Sequence, residues 1–380
     1  IRDVFAMRAL LESLGVEITE IDDHSWRIHA AQVRPADLDP DLCRKIRASI
    51  LLAGPMVARS GELHLPPPGG DVIGRRRVDT HLLAIKALGA SATYDRSFHF
   101  VSKGLIGADI LLDEASVTGT ENAIMACVTA KGHSIIRNAA SEPHIQELCH
   151  FLNHLGGKIE NIGSNTLHIT GVPKLHGGEF SIGPDYLEVV SFIGAAVMTR
   201  GEITIRNAGV QYLDMIKLVF GRLGVIWDTI NDDIVVPANQ PLEIEHDLGG
   251  AIPVISVMPW PAFPTDLMSI AITISSQSSG TVLFHDWMYP SRMFFTDKLV
   301  SMGAQIVLCD PHRCIVQGPT QLSPEKMESP DIRAGMALVL AALSANGKSV
   351  IRNIGQIDRG YEKVDQKLLA LGANIQRISE

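Results

Sequence analysis

Charged side chains that could move a proton collect in one stretch, LPPPGGDVIGRRRVDTH, which runs from Leu65 to His81. Its central part contains, in chain order, Gly69, Gly70, Asp71, Gly74, Arg75, Arg76 and Arg77. A carboxylate on a flexible loop beside guanidinium groups can transfer a proton next to an anionic substrate. Stiff prolines at the entry and glycines in the middle are typical of a lid, although an arginine run is also common on a solvated surface.

Two arginines fall in the first turn of alanine-rich helical segments, Arg47 in KIRASILLAG and Arg333 in DIRAGMALVL. A cation there opposes the helix dipole, so we expect the guanidinium and the helix N–H groups to share a phosphate or a carboxylate. Acidic residues take the equivalent place in other segments: Asp266, Glu121 and Asp185. For these acids, ordinary dipole compensation is the simpler interpretation.

Arginine also opens two of the helices that end a repeat, at Arg292 in YPSRMFF and at Arg359 in QIDRGYEKV. Taken alone, each is typical of a surface salt-bridge partner. His150 and His154 have the i, i+4 spacing of some metal ligands, but no third ligand accompanies them, and we interpret them as ordinary helix residues. No metal and no organic cofactor is predicted.

A repeat positions these residues. Six helical segments end at a glycine that is followed by a short β-branched run: Gly15, Gly89, Gly156, Gly224, Gly303 and Gly372. Neighbouring members of this set are 67 to 79 residues apart. Each glycine is predicted to stop its helix in the left-handed conformation before a strand begins.

A second phrase lies upstream of these helices as GHSIIRNAA, GEITIRNAG and GKSVIRNIG, with a degenerate copy, GTVLFHDWM. Its alternation predicts a strand, and the alanine-rich segment before it predicts a helix buried nearly all round. Each repeat should hold two helices and about four strands, and the break near Pro184–Glu188 gives two α/β domains, 1–186 and 187–380, the first carrying the loop 65–81. A structural solenoid without chemistry is the alternative.

Composition excludes several classes of protein. The 380 residues carry a net charge of −9 and are 46% hydrophobic, which favours a folded chain and argues against a nucleic-acid binder. No apolar run reaches the roughly 18 residues of a membrane span. The five cysteines show no metal-like or disulfide spacing, which favours the cytoplasm. The oligomeric state stays open.

The whole chain resembles the enolpyruvyl transferases, most closely the branch that uses UDP-N-acetylglucosamine. The matching phrases are KIRASILLAGPMVAR, PGGDVIGRRRVD, ASVTGTENAIM, NAASEP, PAFPTD, SRMFF, DIRAGMALVLA, QIDRGYEKV and LLALGANIQRI. The resemblance implies two inside-out α/β barrel domains, each of three repeats, with the active site in the cleft between them.

It also implies the reaction: transfer of the enolpyruvyl group of phosphoenolpyruvate to the 3-hydroxyl of UDP-N-acetylglucosamine, with release of phosphate, as the first committed step toward peptidoglycan. Asp266 would be the base, and Asp71 or Asp331 would handle the C3 proton. Phosphoenolpyruvate would be held through its phosphate by Arg76 and Arg359, and through its carboxylate by Arg292 and Arg333. The implied UDP-sugar residues are Arg47, Arg76, Arg77, Val78, Asp79, Thr80, Ser116, Val117, Asp266 and Met288.

Two departures from the family pattern stand out. Asp71 occupies the position of the family's loop cysteine, so epoxides of the fosfomycin type, which alkylate that cysteine, should not inactivate this chain. The sequence begins after the family's opening strand and Lys-Asn pair, which we interpret as the loss of an N-terminal fragment; restoring it should raise a poor turnover. A catalytically silent UDP-sugar-binding paralogue stays an alternative, and so does the sister enzyme that acts on shikimate 3-phosphate, whose N-A-G-T motif is absent.

Overall fold

Glycines with a left-handed backbone punctuate the chain as the repeat predicts. In the computed structural model, which describes residues 1–35, 37–71, 73, 74 and 76–378, the six helix-ending glycines have φ between +78° and +102°. The asparagines of the second phrase, Asn138, Asn207 and Asn353, are left-handed as well. Glycine adopts this conformation without a Cβ clash, and asparagine tolerates it better than most residues do. The prediction of a glycine stop is confirmed at all six positions.

The chain divides into two compact units. Among the described residues, the N-terminal unit comprises those of 2–71 and 76–182, and the C-terminal unit comprises those of 183–378 with Ile1, Ile73 and Gly74. The boundary predicted between residues 186 and 187 stays a prediction.

The N-terminal unit contains helices α1 Arg2–Ser13, α2 Pro40–Lys45, α3 Ala53–Ser60, α4 Asp79–Ala87, α5 Val117–Cys127 and α6 Pro143–His154. Its strands are β1 Glu17–Asp22, β2 Ser25–His29, β3 Glu62–Leu65, β4 Ser91–Asp95, β5 Ser97–Val101, β6 Asp109–Leu111, β7 His133–Arg137, β8 Ile159–Glu160 and β9 Thr166–Thr170. They pair as β1-β2, β3-β5-β4 and β6-β7-β9-β8, the parallel pair being β6 with β7. Helix α5 packs on α3, α4 and α6 beneath these sheets, so the core lies around α5.

The C-terminal unit contains helices α7 Tyr186–Thr199, α8 Asp214–Gly221, α9 Met268–Ser275, α10 Thr296–Ser301, α11 Ile332–Ser344 and α12 Val364–Ala370. Its strands are β10 Ile203–Ile205, β11 Asp228–Ile230, β12 Asp233–Val236, β13 Val254–Ser256, β14 Gly280–His285, β15 Gln305–Asp310, β16 Arg313–Gly318, β17 Lys326–Glu328 and β18 Val350–Arg352. They pair as β10-β12-β11, β13-β14-β16-β15 and β17-β18.

Three buried helices, α7, α9 and α11, form the centre of this unit. Twelve of the fourteen residues of α7 are buried, which confirms the prediction of helices buried nearly all round. The helices approach one another at Gly194, where an added Cβ would lie 2.8 Å from Leu340 Cδ1 and 3.1 Å from Ile270 Cγ2. A larger side chain there would force the helices apart, because protein interiors are close-packed.

Three sequence predictions need correction. The sheets hold two, three or four strands among the described residues, not four in every repeat. Two alanine-rich segments begin as 3₁₀ helices, Arg47–Leu52 and Thr265–Leu267, before they become α-helical. In a 3₁₀ helix a carbonyl oxygen accepts from the N–H group three residues ahead, whereas in an α-helix it accepts from the one four residues ahead. Glu121 lies at the fifth residue of α5, beyond the first turn, so it does not compensate the helix dipole.

No helix within the described residues is long and apolar enough to cross a membrane.

Candidate active site

The Gly-Gly pair lets the loop lie directly on the backbone of the N-terminal unit. A Cβ on Gly69 would lie 1.6 Å from the carbonyl oxygen of Arg44, and one on Gly70 would lie 2.9 Å from Arg47 Cβ and 3.0 Å from Arg76 Nη1. Only glycine fits such close approaches. Asp71, which is half-buried, follows directly after the close approach of Gly70 to Arg47 and Arg76.

Arg47 binds the loop through backbone carbonyls. Its Nη2 donates to the carbonyl oxygen of Arg76 at 3.3 Å and to that of Arg77 at a shorter distance. From the sequence we predicted that Arg47 binds an anion at this helix start. In the structure its Nη2 atom instead binds the loop backbone. Arg47 and Arg76 are brought together, as a shared ligand would require.

An unpredicted residue, Asp113, organises the far end of the loop. Its carboxylate accepts hydrogen bonds from Thr80 Oγ1 at 2.7 Å and from Arg77 Nη2 at 2.7 Å. Arg77 Nε also donates to Asp79 at 3.2 Å, and Thr80 Oγ1 also lies 3.2 Å from Glu114 Oε1. The Thr80 bond, followed by the Arg77 bond, lowers the pKa of the Asp113 carboxyl although burial opposes this. Asp113 therefore stays ionised and holds Arg77 and Thr80 in place.

The remaining predicted residues of this unit lie at helix starts. Ser116 caps α5, its Oγ accepting from Gly119 N–H at 3.2 Å, and Val117 is the first residue of that helix. Val78 immediately precedes α4, and its carbonyl accepts from His81 N–H at 3.1 Å. The last residues of the predicted loop, Asp79 to His81, are thus helical, which corrects the expectation of a loop as far as residue 81.

His81 is a buried neutral histidine that joins three elements. The amide of Asn122 is oriented by Gly54 N–H, which donates to its Oδ1 at 2.7 Å, and by the carbonyl of Ile50, which accepts from its Nδ2 at 2.8 Å. Asn122 Nδ2 also donates to His81 Nδ1 at 2.7 Å, so Nε2 carries the imidazole proton and donates to Thr118 Oγ1 at 3.2 Å. Burial, and then the charge of Arg47, lowers the pKa of His81 to about 3.

This histidine predicts a specific acid sensitivity. Between its ordinary pKa of about 6.5 and its folded value of about 3, the unfolded chain binds a proton that the folded chain does not, so stability falls as the pH falls through that window. We expect His81→Asn to reduce the slope of unfolding free energy against pH by about 1 kcal/mol per pH unit between pH 5 and 6. Urea unfolding at several pH values measures it. The control His133→Asn, at an exposed position, should keep the wild-type slope. The prediction is refuted if His81→Asn has the same slope of unfolding free energy against pH as the wild type.

In the C-terminal unit, a carboxylate meets two buried guanidinium groups. Asp266 accepts from Arg292 Nη2 at 2.7 Å and lies 3.6 Å from Arg333 Nε. The Arg292 side chain is 2% exposed, and those of Arg333 and Asp266 are 15% and 39% exposed. Burial alone would lower the pKa of Arg292, but the charges of Asp266, Asp331 and Asp286 outweigh it and raise that pKa. The structure thus brings together three residues that were predicted from separate motifs.

The same two arginines have polar atoms without hydrogen-bond partners. Arg292 Nε and Arg333 Nη1 are buried, and neither finds an acceptor among the described residues. A buried N–H without an acceptor costs about 1–3 kcal/mol, and more on a charged group. Such atoms are suited to an anionic ligand that would supply the missing acceptors.

Two further aspartates shape this region. Asp331 caps α11, with its Oδ1 accepting from the N–H groups of Arg333 at 2.8 Å and Ala334 at 2.9 Å. Asp286, which was not predicted, is fully buried and accepts from Thr265 Oγ1 at 2.5 Å and from the N–H of Met288 at 3.0 Å. It stands in the degenerate phrase GTVLFHDWM, where the other copies have asparagine.

The buried ring of Tyr361 packs against the Arg333 guanidinium group. The tyrosine is 1% exposed, its hydroxyl lies 2.8 Å from Ser191 Oγ, and the Arg333 guanidinium lies 5.6 Å from the ring centroid. Burial lowers the pKa of Arg333, but Tyr361 and Asp266 outweigh it and raise the pKa. Tyr361 was not predicted from the sequence, although it lies two residues after Arg359 in QIDRGYEKV.

Arg359 belongs to a short segment that packs against α11, the helix that carries Arg333. It ends a 3₁₀ helix, Ile357–Arg359, and its Nη1 donates to Gln356 Oε1 at 3.1 Å. The neighbouring Asp358 is held by Arg377 through two hydrogen bonds of 3.0 and 2.8 Å, and the same arginine makes two more, of 3.0 and 2.9 Å, to Asp365. Arg377 therefore ties the segment carrying Arg359 to α12.

We expect Arg377→Gln to destabilise the chain by roughly 1–2 kcal/mol, between the values for an exposed and a buried ion pair. The reason is that Asp358 and Asp365, with side chains 11% and 18% exposed, would lose their cation. Urea unfolding checks this, with Arg313→Gln as the control, because the Arg313–Asp310 pair is more exposed. Equal losses in the two variants would contradict the prediction.

Comparison with known proteins decides the family. The sequence profile of the family described as EPSP synthase (3-phosphoshikimate 1-carboxyvinyltransferase) matches residues 1–368. Proteins named UDP-N-acetylglucosamine 1-carboxyvinyltransferase match at 53% identity in Bradyrhizobium diazoefficiens, over 100% of this chain and 88% of that protein, and at 51% in Treponema denticola, over 99% and 88%. The chain belongs to the enolpyruvyl transferase family.

Solved structures agree on the fold of this enolpyruvyl transferase. The enolpyruvyl transferase NikO from Streptomyces tendae superposes with a TM-score of 0.84 at 23% identity, covering 98% of this chain and 87% of that one. An EPSP synthase from Acinetobacter baumannii superposes with a TM-score of 0.73 at 15% identity, covering 98% and 88%. The mixed α/β fold predicted from the sequence is that of these proteins.

Proposed function

We propose that this chain transfers the enolpyruvyl group of phosphoenolpyruvate to the 3-hydroxyl of UDP-N-acetylglucosamine and releases phosphate, the first committed step of peptidoglycan biosynthesis. The observation that carries the proposal is the agreement among relatives. Those from Bradyrhizobium diazoefficiens, Treponema denticola and Treponema pallidum, 49–53% identical over 99–100% of this chain, share the name UDP-N-acetylglucosamine 1-carboxyvinyltransferase.

Phosphoenolpyruvate needs cations for two anionic groups. We assign its carboxylate to Arg292 and Arg333, because Arg292 Nε and Arg333 Nη1 are buried donors that lack acceptors among the described residues. We assign its phosphate to Arg76 and Arg359. Fixed guanidinium groups also stabilise charge that develops at C2, and they do so without reorganising during the reaction.

The chemistry requires a base and a switchable acid. In the addition step, the sugar hydroxyl loses its proton as its oxygen bonds to C2, while C3 gains a proton; in the elimination step, the bond from C2 to the phosphate oxygen breaks and C3 loses a proton. We assign the base to Asp266, an acceptor-only carboxylate beside Arg292. Since Asp331 Oδ1 already accepts two helix N–H groups, we assign the C3 proton to Asp71 in preference to Asp331.

The residues that we assign to the UDP-sugar are Arg47, Arg76, Arg77, Val78, Asp79, Thr80, Ser116, Val117, Asp266 and Met288. Support comes from Arg77 and Thr80, whose side chains are held by Asp113, and from the backbone carbonyls fixed by Arg47. Ordered groups of this kind recognise a ligand at a lower entropic cost.

We further propose that each unit is an inside-out barrel of three repeats, with domains 1–186 and 187–380. Support comes from the sheets arranged around α5 in one unit and around α7, α9 and α11 in the other. The proposed location is the cytoplasm, where a thiol as exposed as Cys309 stays reduced.

Shikimate 3-phosphate is a second candidate acceptor, because the matching family profile carries the EPSP synthase description. Phosphate release from phosphoenolpyruvate, measured separately with UDP-N-acetylglucosamine and with shikimate 3-phosphate, separates the two. We expect release only with the UDP-sugar. Release with shikimate 3-phosphate alone would support the second candidate, and binding of the UDP-sugar without release would support a catalytically silent binding protein.

A further inference from the structure

Three metal-ligand side chains share one exposed face of the β3-β5-β4 sheet. Burial alternates along β3, which places Glu62 and His64 on the exposed face, and His99 on the same face of β5. His64 and His99 are directly opposite in the antiparallel register, and Glu62 is diagonal to His99. None of these residues belongs to the site described above.

The three side chains converge. His99 Nε2 lies 3.0 Å and His64 Nε2 3.6 Å from the same oxygen, Glu62 Oε1. The two imidazole rings are stacked, with centroids 3.9 Å apart and planes 19° from parallel. One ligand atom from each residue lies within 4.8 Å of the others, and within the described ranges this is the one group of three or more such side chains that does so.

We propose that Glu62, His64 and His99 bind a divalent late transition metal ion, with zinc as the expected ion. Two imidazole nitrogens and one carboxylate oxygen are a common donor set for zinc, at about 2.0–2.2 Å from the metal. One divalent cation can be coordinated by two imidazole nitrogens and a carboxylate oxygen that lie this close together, with water in its remaining coordination positions. A carboxylate oxygen can also accept two imidazole N–H groups, and titration with the metal distinguishes that pair of hydrogen bonds from a metal site.

The chain contains a matched control. His133 on β7 and His168 on β9 form another exposed histidine pair across antiparallel strands, with ring centroids 5.6 Å apart. No group of three ligand side chains includes them among the residues that the structure describes. A loss of metal binding caused only by removing any surface histidine would therefore also appear in His168→Gln.

The test is calorimetric titration of the full chain with zinc chloride after treatment with a chelator. All proteins carry Cys309→Ser, which removes the exposed thiol. We expect His64→Gln, His99→Gln and Glu62→Gln each to lower zinc affinity at least about tenfold, the loss that removing even an outer partner of a metal ligand typically causes. His168→Gln should bind within about twofold of the parent, since it removes no proposed ligand. Because the four substituted side chains lie on exposed sheet faces, thermal unfolding should be nearly unchanged without metal.

A second readout locates the ion. Substoichiometric Ni²⁺ should broaden the imidazole proton resonances of His64 and His99 before those of His133 and His168. The proposal is overturned if the parent shows no saturable zinc binding, if the three ligand variants bind as well as the parent, or if His168→Gln loses as much affinity as they do.

Discussion

Asp266→Asn is expected to lower kcat/KM for phosphoenolpyruvate by about a thousandfold or more. A positioned general base contributes about 10²–10⁴ in rate, and the substitution also removes the carboxylate that pairs with Arg292 at 2.7 Å. The side chain keeps its size and can still accept a hydrogen bond, so the fold should be retained. Phosphate release with saturating UDP-N-acetylglucosamine measures the effect.

The way the loss is divided between kinetic constants tests the role. Without the Asp266 charge, Arg292 and Arg333 lose a neighbouring carboxylate, so binding of phosphoenolpyruvate should not weaken while kcat falls. Asp297→Asn, an exposed acid at the start of α10, is the control and should keep wild-type activity. A variant that retained more than about a tenth of kcat would exclude Asp266 as the base, because a general base contributes at least a hundredfold.

Asp71→Cys is expected to create sensitivity to a thiol-directed, phosphonate-bearing epoxide that the parent chain resists. Alkylation requires a thiolate at the loop position, and a carboxylate is a far weaker nucleophile toward such epoxides. Four of the five cysteines are buried, where desolvation raises the pKa of Cys43 to about 11 and that of Cys127, Cys149 and Cys314 to about 12. Their thiols remain protonated and enclosed, and so they are poor targets.

The comparison uses time-dependent loss of phosphate release during incubation with the epoxide, followed by mass spectrometry of the modified peptide. Both proteins carry Cys309→Ser, which removes the exposed thiol. We expect exponential loss and an adduct on residue 71 only in Asp71→Cys. Time-dependent inactivation of the Asp71 protein with an adduct in the loop would show the prediction to be wrong.

Positions defined by local backbone geometry were predictable from the sequence. The helix-ending glycines depend on a residue's own φ, and the predicted acid at the start of α7, Asp185, accepts from the N–H of Leu187, two residues away. Short-range rules apply to such features because the partners are covalently close. The repeat therefore predicted the order of the elements, whereas the assignment of the motif residues to one site stays a prediction.

Contacts between distant segments could not be derived in this way. Arg47 reaches loop carbonyls 29 and 30 residues away, and Asp113 binds Thr80 across 33 residues. Asp286 and Tyr361 act through burial, which sequence spacing does not specify. Asp286 did leave a signal, as the carboxylate that replaces asparagine in the degenerate phrase, but only the packed structure shows that it holds Thr265.

The repeated glycines also separate two costs that are usually measured together. At Gly89 and Gly372, an added Cβ meets no atom within 4 Å, so only the left-handed dihedral opposes a larger residue. At Gly15, the Cβ would lie 2.8 Å from a backbone carbonyl, and at Gly224 it would lie 2.2 Å from a backbone nitrogen. One motif position is thus constrained by torsion alone in some copies and by torsion plus crowding in others. Comparing substitutions at Gly89 and Gly372 with those at Gly15 and Gly224 would therefore separate the conformational cost of replacing a helix-ending glycine from the steric cost.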